Sequence, residues 1–530
     1  MALMTGGQAL ARQLHREGIR VIFGLPGVQL YHALDGLHGE KEIRFINTRH
    51  EQATTYMADG YARAGGDIGT ALVVPGPGLQ NASAGIGTAY ATSSPVLVLA
   101  GQVEKELIGV DRGVLHEVND QLDIVKPVTK WARRVLEADE IPTAVHEAFQ
   151  QLKTGRPRPV EIEIPPETLA KQTDTQLLGP AEIERPGGDP KKVEQAVEVL
   201  AASSKPLIFA GGGAVSSGTS HVLAQLSEFL QAPVLLTPEG KGALSERHDM
   251  CLGAARLPPE FIAAHDVVLA VGTRLSTPGM LSNQRVIQVD IDPAEIGRNY
   301  TNTLGVTGDA RLTLELMFEL LKGRHEPKPK RLAEIVALKT ELFDSTKTVE
   351  PLGAFLRAIR SAMPDDGILV PGMTQVGYYA RRFFPAYQPR TYLTSSYFGN
   401  LGFAYPTALG AKVACPEKAV VAVSGDGGFL FNSQELATAV RHKIGTVVIV
   451  FNDNAYGNVL RDQRTRFDGR TYGSDLHNPD FVLLAKAYGA TGIRVEDEDA
   501  NKLEAVLIEA IESDEPTLIE VPVGEMPYPY

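Results

Sequence analysis

Along this chain, apolar runs and polar, helix-spaced stretches alternate in a pattern that recurs three times. Residues 71–101 read ALVVPGPGLQNASAGIGTAYATSSPVLVLAG, residues 206–237 read PLIFAGGGAVSSGTSHVLAQLSEFLQAPVLLT, and residues 419–453 read AVVAVSGDGGFLFNSQELATAVRHKIGTVVIVFND. Each begins with a short β-branched run, turns through glycines, continues as an amphipathic stretch and closes on another apolar run. Strands that are apolar at every position are buried on both faces, as in parallel sheets covered by helices. Three such units predict an α/β protein of three doubly wound, Rossmann-like parallel-sheet domains. A helix is expected from about Thr5 to Gly18. Residues 165–190 and 322–330 are rich in proline, glycine and charge and read as linkers, placing the domains at 1–168, 188–322 and 350–530.

Composition narrows the function classes. The 530 residues are enough for several cores, and 51 Lys+Arg against 64 Asp+Glu leave a net charge of −13. That balance argues against nucleic acid or an anionic membrane as partner. Two cysteines, Cys251 and Cys415, belong to no Cys/His cluster, which disfavours a disulfide scaffold or structural zinc and suggests the cytoplasm. The N-terminus lacks the apolar core of a signal peptide, and no apolar run is long enough for a transmembrane helix.

The third glycine turn, Ser424-Gly425-Asp426-Gly427-Gly428, carries an aspartate at the end of a predicted strand. A helix expected at Phe429 to Lys443 would aim its free N–H groups at the turn, a geometry suited to phosphate. A carboxylate there repels phosphate unless a cation lies between, and Mg²⁺ binds carboxyl oxygens and phosphate together. The next predicted strand, Thr446–Phe451, runs into Asn452-Asp453-Asn454-Ala455-Tyr456-Gly457. Adjacent parallel strands end on one edge, so Asp426 and Asp453 are expected to face one metal.

This GDG turn, followed about one strand–helix–strand unit later by an Asn-rich turn, resembles the signature of thiamine-diphosphate enzymes. The resemblance runs along the whole chain: it is similar to the acetolactate synthase, benzoylformate decarboxylase and pyruvate oxidase superfamily, most of all to acetolactate synthase large subunits. It implies that the first domain binds the aminopyrimidine and the last binds diphosphate and metal. It further implies a homodimer or homotetramer with active sites at the subunit interface. Asp426, Asp453 and the Ala455 carbonyl would ligate Mg²⁺, although the family usually has Asn at the position of Asp453. Gly425, Gly427, Gly428 and Tyr456 would contact the cofactor.

The remaining roles also follow from the resemblance. Thiamine chemistry needs a carboxyl group on pyrimidine N1′, and Glu51, in Arg49-His50-Glu51 before a helix rich in small residues, matches the family's base. Phe23-Gly24-Leu25-Pro26-Gly27 resembles a turn near the substrate pocket, which adds Gly27. Pro75-Gly76-Pro77-Gly78 with Asn81 resembles the turn beside the cofactor. Gly399-Asn400-Leu401-Gly402 stands where an apolar wedge, here Leu401, bends the cofactor. Thr374 and Gln375 fall where diphosphate anchors are expected. Leu115-His116-Glu117 replaces Phe-Gln-Glu, so His116 is a candidate proton donor or relay. His32 is a weaker candidate of that kind.

Three departures from acetolactate synthases concern substrate and flavin. The RFDDR-like segment is Arg274-Leu275-Ser276-Thr277-Pro278, without the second arginine. Gln-Trp-Gln is replaced by Arg461-Asp462-Gln463, and the GMHG segment is shortened to Leu252-Gly253-Ala254-Ala255-Arg256. Asp290-Ile291-Asp292 and Gly308-Asp309 of the nucleotide edge remain, so FAD is possible but not predicted. The expected reaction is Mg²⁺- and thiamine-diphosphate-dependent decarboxylation or carboligation of a 2-oxo acid, or attack on an aldehyde. It would pass through a C2 ylide and a hydroxyalkyl intermediate. A 2-hydroxyacyl-CoA lyase-like enzyme, a flavin-dependent pyruvate-oxidase-like oxidase and a non-catalytic paralogue are the alternatives.

Overall fold

The structure is a computed structural model that describes residues 2–65, 68–276, 280–281, 283–344 and 348–529. Thr277 and Pro278, part of the segment replacing RFDDR, lie outside the described residues. The chain divides into two compact units: Met1–Ile183 with Ser395–Glu496 and Glu509–Pro522, and Glu184–Thr394 with Asp497–Ile508 and Val523–Tyr530. Among the described residues no helix is long and apolar enough to cross a membrane.

The first unit begins with β1 (Ala2–Thr5), β2 (Val21–Gly24), β3 (Arg44–Asn47), β4 (Gly69–Val73), β5 (Val96–Gly101), β6 (Trp131–Arg134), β7 (Val160–Ile164) and β8 (Gln172–Thr175). Six of these form a parallel sheet in the order β3-β2-β4-β5-β7-β6. The expected N-terminal helix is present as Gly6–Arg16. Thr5 starts it through a capping box: its hydroxyl accepts from Gln8 N at 3.2 Å, and Gln8 Oε1 accepts from Thr5 N at 3.0 Å. Leu10, Ala11 and Leu14 of this helix pack against Ile22, Leu72, Leu97, Leu99 and Ile162 of the sheet. Full burial of one such large aliphatic side chain contributes about 1.5–3 kcal/mol.

Residues 165–190, read above as a linker, are partly ordered into the first sheet's surroundings. They contain the helix Pro166–Ala170 and β8, and β8 pairs antiparallel with β1, Thr5 opposite Gln172 and Ala2 opposite Thr175. The sequence Gln-Thr-Asp-Thr is polar on both faces, so its strand carries no apolar pattern; its backbone ladder holds it, with the Thr175 hydroxyl donating to Asp139 O at 3.2 Å.

The second unit holds β9 (Pro206–Ala210), β10 (Val234–Leu236), β11 (Val267–Val271), β12 (Arg285–Asp290) and β13 (Thr303–Thr307), parallel and ordered β10-β9-β11-β12-β13. Ile208, Leu269 and Ile287 belong to one apolar core, while Leu207, Phe209 and Val268 belong to another. Two covered faces explain why these strands are apolar at every position. β14 (Ile368–Pro371) follows, leading to the helix Gln375–Phe383.

The first unit resumes with β15 (Val420–Gly425), β16 (Val447–Asn452), β17 (Thr491–Arg494) and β18 (Thr517–Pro522), which run parallel side by side as β15-β16-β18-β17. The helix expected at 429–443 is broken into a short turn, Asp426–Phe429, and the helix Glu435–His442. Asn432 lies in the break, its Nδ2 donating to Gly402 O at 2.7 Å. The strand expected at 446–451 is Val447–Asn452.

Within this unit the helix Glu51–Gly65 lies in backbone contact with the helix Ala404–Ala414. A Cβ on Gly60 would sit 2.0 Å from Thr407 O, and one on Gly410 would sit 1.9 Å from Met57 O. Only hydrogen side chains permit that approach.

Candidate active site

The first cluster lies where β3 hands over to the helix Glu51–Gly65 and β4 to the helix Pro77–Thr92. Glu51 opens its helix, half-buried, and its Oε2 accepts from Asn81 Nδ2 at 3.0 Å. A Cβ on Gly78 would stand 3.6 Å from Glu51 Oε1, so the Pro75–Gly78 turn borders the same carboxylate. Gly27 packs against Val74, a Cβ there falling 2.2 Å from Val74 Cγ1, and Pro75 abuts Gly101. Gly76 has φ +57, with the His116 carbonyl 2.4 Å from where its Cβ would be. Glu51, Asn81, Gly27, Pro75 and His116, drawn from four stretches of sequence, are thereby gathered around β4 and the turn that follows it.

His116 is half-buried at φ +69, and its Nδ1 lies 3.0 Å from Gln29 Oε1. Gln29 Nε2 is committed to Leu115 O at 3.3 Å. Gln29 therefore offers only an acceptor to the ring, which puts the proton of a neutral His116 on Nδ1 and leaves Nε2 for other partners. Gln29 was not evident from sequence. Neither was Gln121, fully buried, which accepts from Gly76 N at 2.8 Å and donates to Gly101 O at 2.8 Å and Glu163 Oε2 at 2.9 Å. His32 lies on the exposed face of the helix Tyr31–Gly39.

The second cluster lies at the ends of β15 and β16, which are paired in parallel with Gly425 opposite Phe451. Asp426 is 2% exposed and receives Asn478 Nδ2 on its Oδ2 at 2.6 Å. The same amide lies 2.9 Å from Asn452 Oδ1 and 3.3 Å from Asn454 Oδ1. Asp453 Oδ1 accepts from Ala455 N at 3.2 Å. Burial pushes Asp426 up from the ordinary carboxylate range. Burial, then the charge of Asp426, push Asp453 up to about 6. A buried carboxylate raised further by a neighbouring carboxylate is relieved by a cation between them.

The donor set fits Mg²⁺: two carboxylates, the Ala455 carbonyl and a buried Asn478 Oδ1 that has no hydrogen-bond partner are all hard oxygen donors. Asn478 has no motif of its own; only the fold brings it here. The glycines have steric reasons. A Cβ on Gly427 would meet the Tyr456 ring at 2.6 Å, and one on Gly428 would stand 3.7 Å from Leu401 Cδ2. Asp426, Asp453, Ala455, Tyr456, Gly425, Gly427, Gly428 and Leu401 thus form one neighbourhood.

Leu401 arrives on the turn opened by Gly399, φ +62. Asn400 anchors that turn, donating to Tyr56 Oη and accepting from Thr88 Oγ1 at 3.1 Å. Thr374 and Gln375 belong to the second unit, at the start of the helix Gln375–Phe383, with Gln375 Oε1 buried and unbonded. In the helix Gly457–Arg466, Gln463 ties down the following loop, contacting Tyr472 O at 2.9 Å and Ser474 Oγ at 2.9 Å, whereas Asp462 pairs with Arg466 at 3.5 Å. In the second unit Asp309 caps the helix Ala310–Arg324 and accepts from Ser217 Oγ at 2.6 Å, and Asp290 accepts from Asp292 N at 3.0 Å.

Comparison with known proteins gives this arrangement a class. Residues 4–124 match the N-terminal TPP binding domain of thiamine pyrophosphate enzymes, residues 193–317 their central domain and residues 372–521 their C-terminal TPP binding domain. The chain belongs to the thiamine pyrophosphate enzyme family, and within it is most like acetolactate synthase large subunits. A probable acetolactate synthase large subunit of Methanocaldococcus jannaschii is 36% identical over 98% of this chain and 92% of its own length. The acetolactate synthase isozyme 3 large subunit of Escherichia coli is 33% identical, covering 97% of this chain and 93% of its own. A probable 2-ketoarginine decarboxylase of Pseudomonas aeruginosa is 36% identical over 98% and 94%.

Proposed function

We propose that this enzyme decarboxylates a 2-oxo acid and delivers the remaining fragment either to a proton or to a second carbonyl. The Asp426–Asp453 pair carries the reading: two buried carboxylates at adjacent strand ends, Asp453 raised further by the charge of Asp426, beside a glycine floor, would suit a divalent cation that holds a phosphate. Asp426, Asp453 and the Ala455 carbonyl would hold Mg²⁺, with Asn478 orienting Asp426. Gly425, Gly427 and Gly428 would leave room for the diphosphate, Gly399 sets the turn that carries Leu401, and Leu401 and Tyr456 would lie beside the thiazolium.

Bound thiamine diphosphate supplies a carbon nucleophile and an electron sink. The protein's part is to move protons and exclude water. Glu51 would share a proton with the aminopyrimidine, its carboxylate held by Asn81. Gly27, Pro75 and Gly76 let that ring approach the backbone. With Nδ1–H held by Gln29, His116 would accept a proton on its free Nε2 and, as the imidazolium, return it to the product side. We place the pyrimidine-binding domain at 1–168, the central domain at 188–322 and the diphosphate-binding domain at 350–530. The active unit is a homodimer or higher homo-oligomer in which one chain's Glu51 serves the metal site of its partner. Two buried free cysteines suit a reducing cytoplasm.

A second reading, plain decarboxylation, is favoured by His116. An imidazole whose Nε2 can take up and return a proton suits protonation of the intermediate, whereas addition to a second 2-oxo acid needs an anchor for its carboxylate. A panel of 2-oxo acids, including pyruvate and 2-ketoarginine, tests both readings by CO₂ release and product mass. Aldehyde alone would support plain decarboxylation, a hydroxy-oxo acid carboligation, and no CO₂ from any member would overturn the proposal.

A further inference from the structure

Glu435 starts the helix that follows the GDG turn, yet its side chain points at the other cluster. It is 0% exposed. Arg49 N donates to its Oε1 at 3.1 Å and lies 3.2 Å from Oε2, the main chain of His50 also donates to it, and the Thr438 hydroxyl donates to Oε2 at 2.6 Å. Those main-chain donors immediately precede Glu51. Beside them Gln52 Nε2 donates to Phe431 O at 3.0 Å and to Asn432 Oδ1 at 3.1 Å, and Asn432 in turn holds Gly402, next to Leu401.

The first N–H groups at a helix start have no partner within the helix, and a carboxylate satisfies them more strongly than a neutral acceptor. Here that carboxylate comes from a distant element and, among the described residues, no side-chain cation is bonded to it, so its burial is compensated by these donors. We propose that Glu435 is the positioning residue for Glu51: by gripping the main chain of Arg49 and His50 it fixes where the Glu51 carboxyl meets the pyrimidine. The inference rests on reading Glu51 as the base.

Burial pushes the Glu435 carboxyl up to about 7, against the lowering effect of its hydrogen bonds. The groups facing it are Thr438 on its own helix, Arg49 and His50 before the helix Glu51–Gly65, and Tyr405 on the helix Ala404–Ala414. Arg49 lowers it, while Tyr405 is itself pushed up, by burial first and then by the Glu435 charge. When ionised, Glu435 offers acceptors to both main-chain donors. When protonated, it turns one oxygen into a donor against an N–H. The grip therefore weakens as pH falls through neutral.

The test follows exchange of the cofactor C2 proton for deuterium, by NMR, in enzyme loaded with thiamine diphosphate and Mg²⁺. It compares wild type, Glu435→Gln and Glu51→Gln across pH. Wild-type exchange should slow as pH falls through about 7, and Glu435→Gln should be about tenfold slower above neutral pH and lack that limb, with cofactor affinity changed less than about twofold. Thr438→Val, which leaves the carboxyl in place but removes a donor to its ionised form, should move the limb to higher pH. Unfolding of the cofactor-free protein gives an independent reading. A carboxyl raised on folding adds stability below its unfolded pKa of about 4.5 and loses it as pH rises to about 7, so Glu435→Gln should gain in Tm over wild type across that window. Exchange in Glu435→Gln within twofold of wild type with the limb retained, or an unmoved limb in Thr438→Val, overturns the inference. Unimpaired exchange in Glu51→Gln instead removes the base reading, whatever Glu435 does.

Discussion

In the proposed function Glu51 and Asp426 divide the chemistry between them, and their replacements should fail differently. Glu51→Gln keeps the shape of the site but not its proton traffic. Turnover should fall at least about a hundredfold, while cofactor affinity by calorimetry stays near wild type. Asp426→Ala should abolish Mg²⁺-dependent cofactor binding in the same titration. Asp453→Asn keeps an oxygen donor and removes the charge that Asp426 opposes. Mg²⁺ affinity should fall by about tenfold with the site intact, as ligand charge sets divalent-cation affinity. These residues are legible in sequence because each sits in a local motif with its own spacing. Gln29, Gln121, Asn478 and Glu435 are not, because each acts through a hydrogen bond to a residue far along the chain, and such bonds leave no periodicity. Polar residues at those positions read equally well as surface.

Among the elements, strands buried on both faces were easy to read and polar ones were not. The three apolar–glycine–helix units correspond to β4–β5, β9–β10 and β15–β16 with their connecting helices. Nothing apolar marks β8, and no glycine or proline marks the break at residues 430–434, so neither is legible from pattern. The capping box at Thr5 is a local device with a predictable worth: Thr5→Ala should cost about 1 kcal/mol in urea unfolding. The Gly60–Thr407 and Gly410–Met57 contacts are less forgiving. A methyl at Gly410 overlaps the Met57 carbonyl, so Gly410→Ala should destabilise by about 1–3 kcal/mol or more and disturb the helix that carries Glu51. Turnover should drop along with Tm, and unchanged values for both would mean that the two helices pack otherwise in solution.

For the molecule as a whole, the net charge of −13 is compatible with a diphosphate ligand, because the acidic pair would recruit the cation proposed to hold it. A site built from one chain's base and another's metal makes a sharp prediction. Glu51→Gln and Asp426→Ala are each inactive alone, but co-expressed they should form mixed dimers with one intact site and recover about a quarter of wild-type activity. Sedimentation should give the same oligomer for both. If every site were complete within a single chain, the mixture would stay inactive. The pairing of β1 with β8 bears on how such a chain could arise. Ala2 faces Thr175 and Thr5 faces Gln172, so the first sheet and its helices begin and end at one place. A segment whose two ends meet can be copied, exchanged or grafted between genes as a cassette, without stretching the chain on either side.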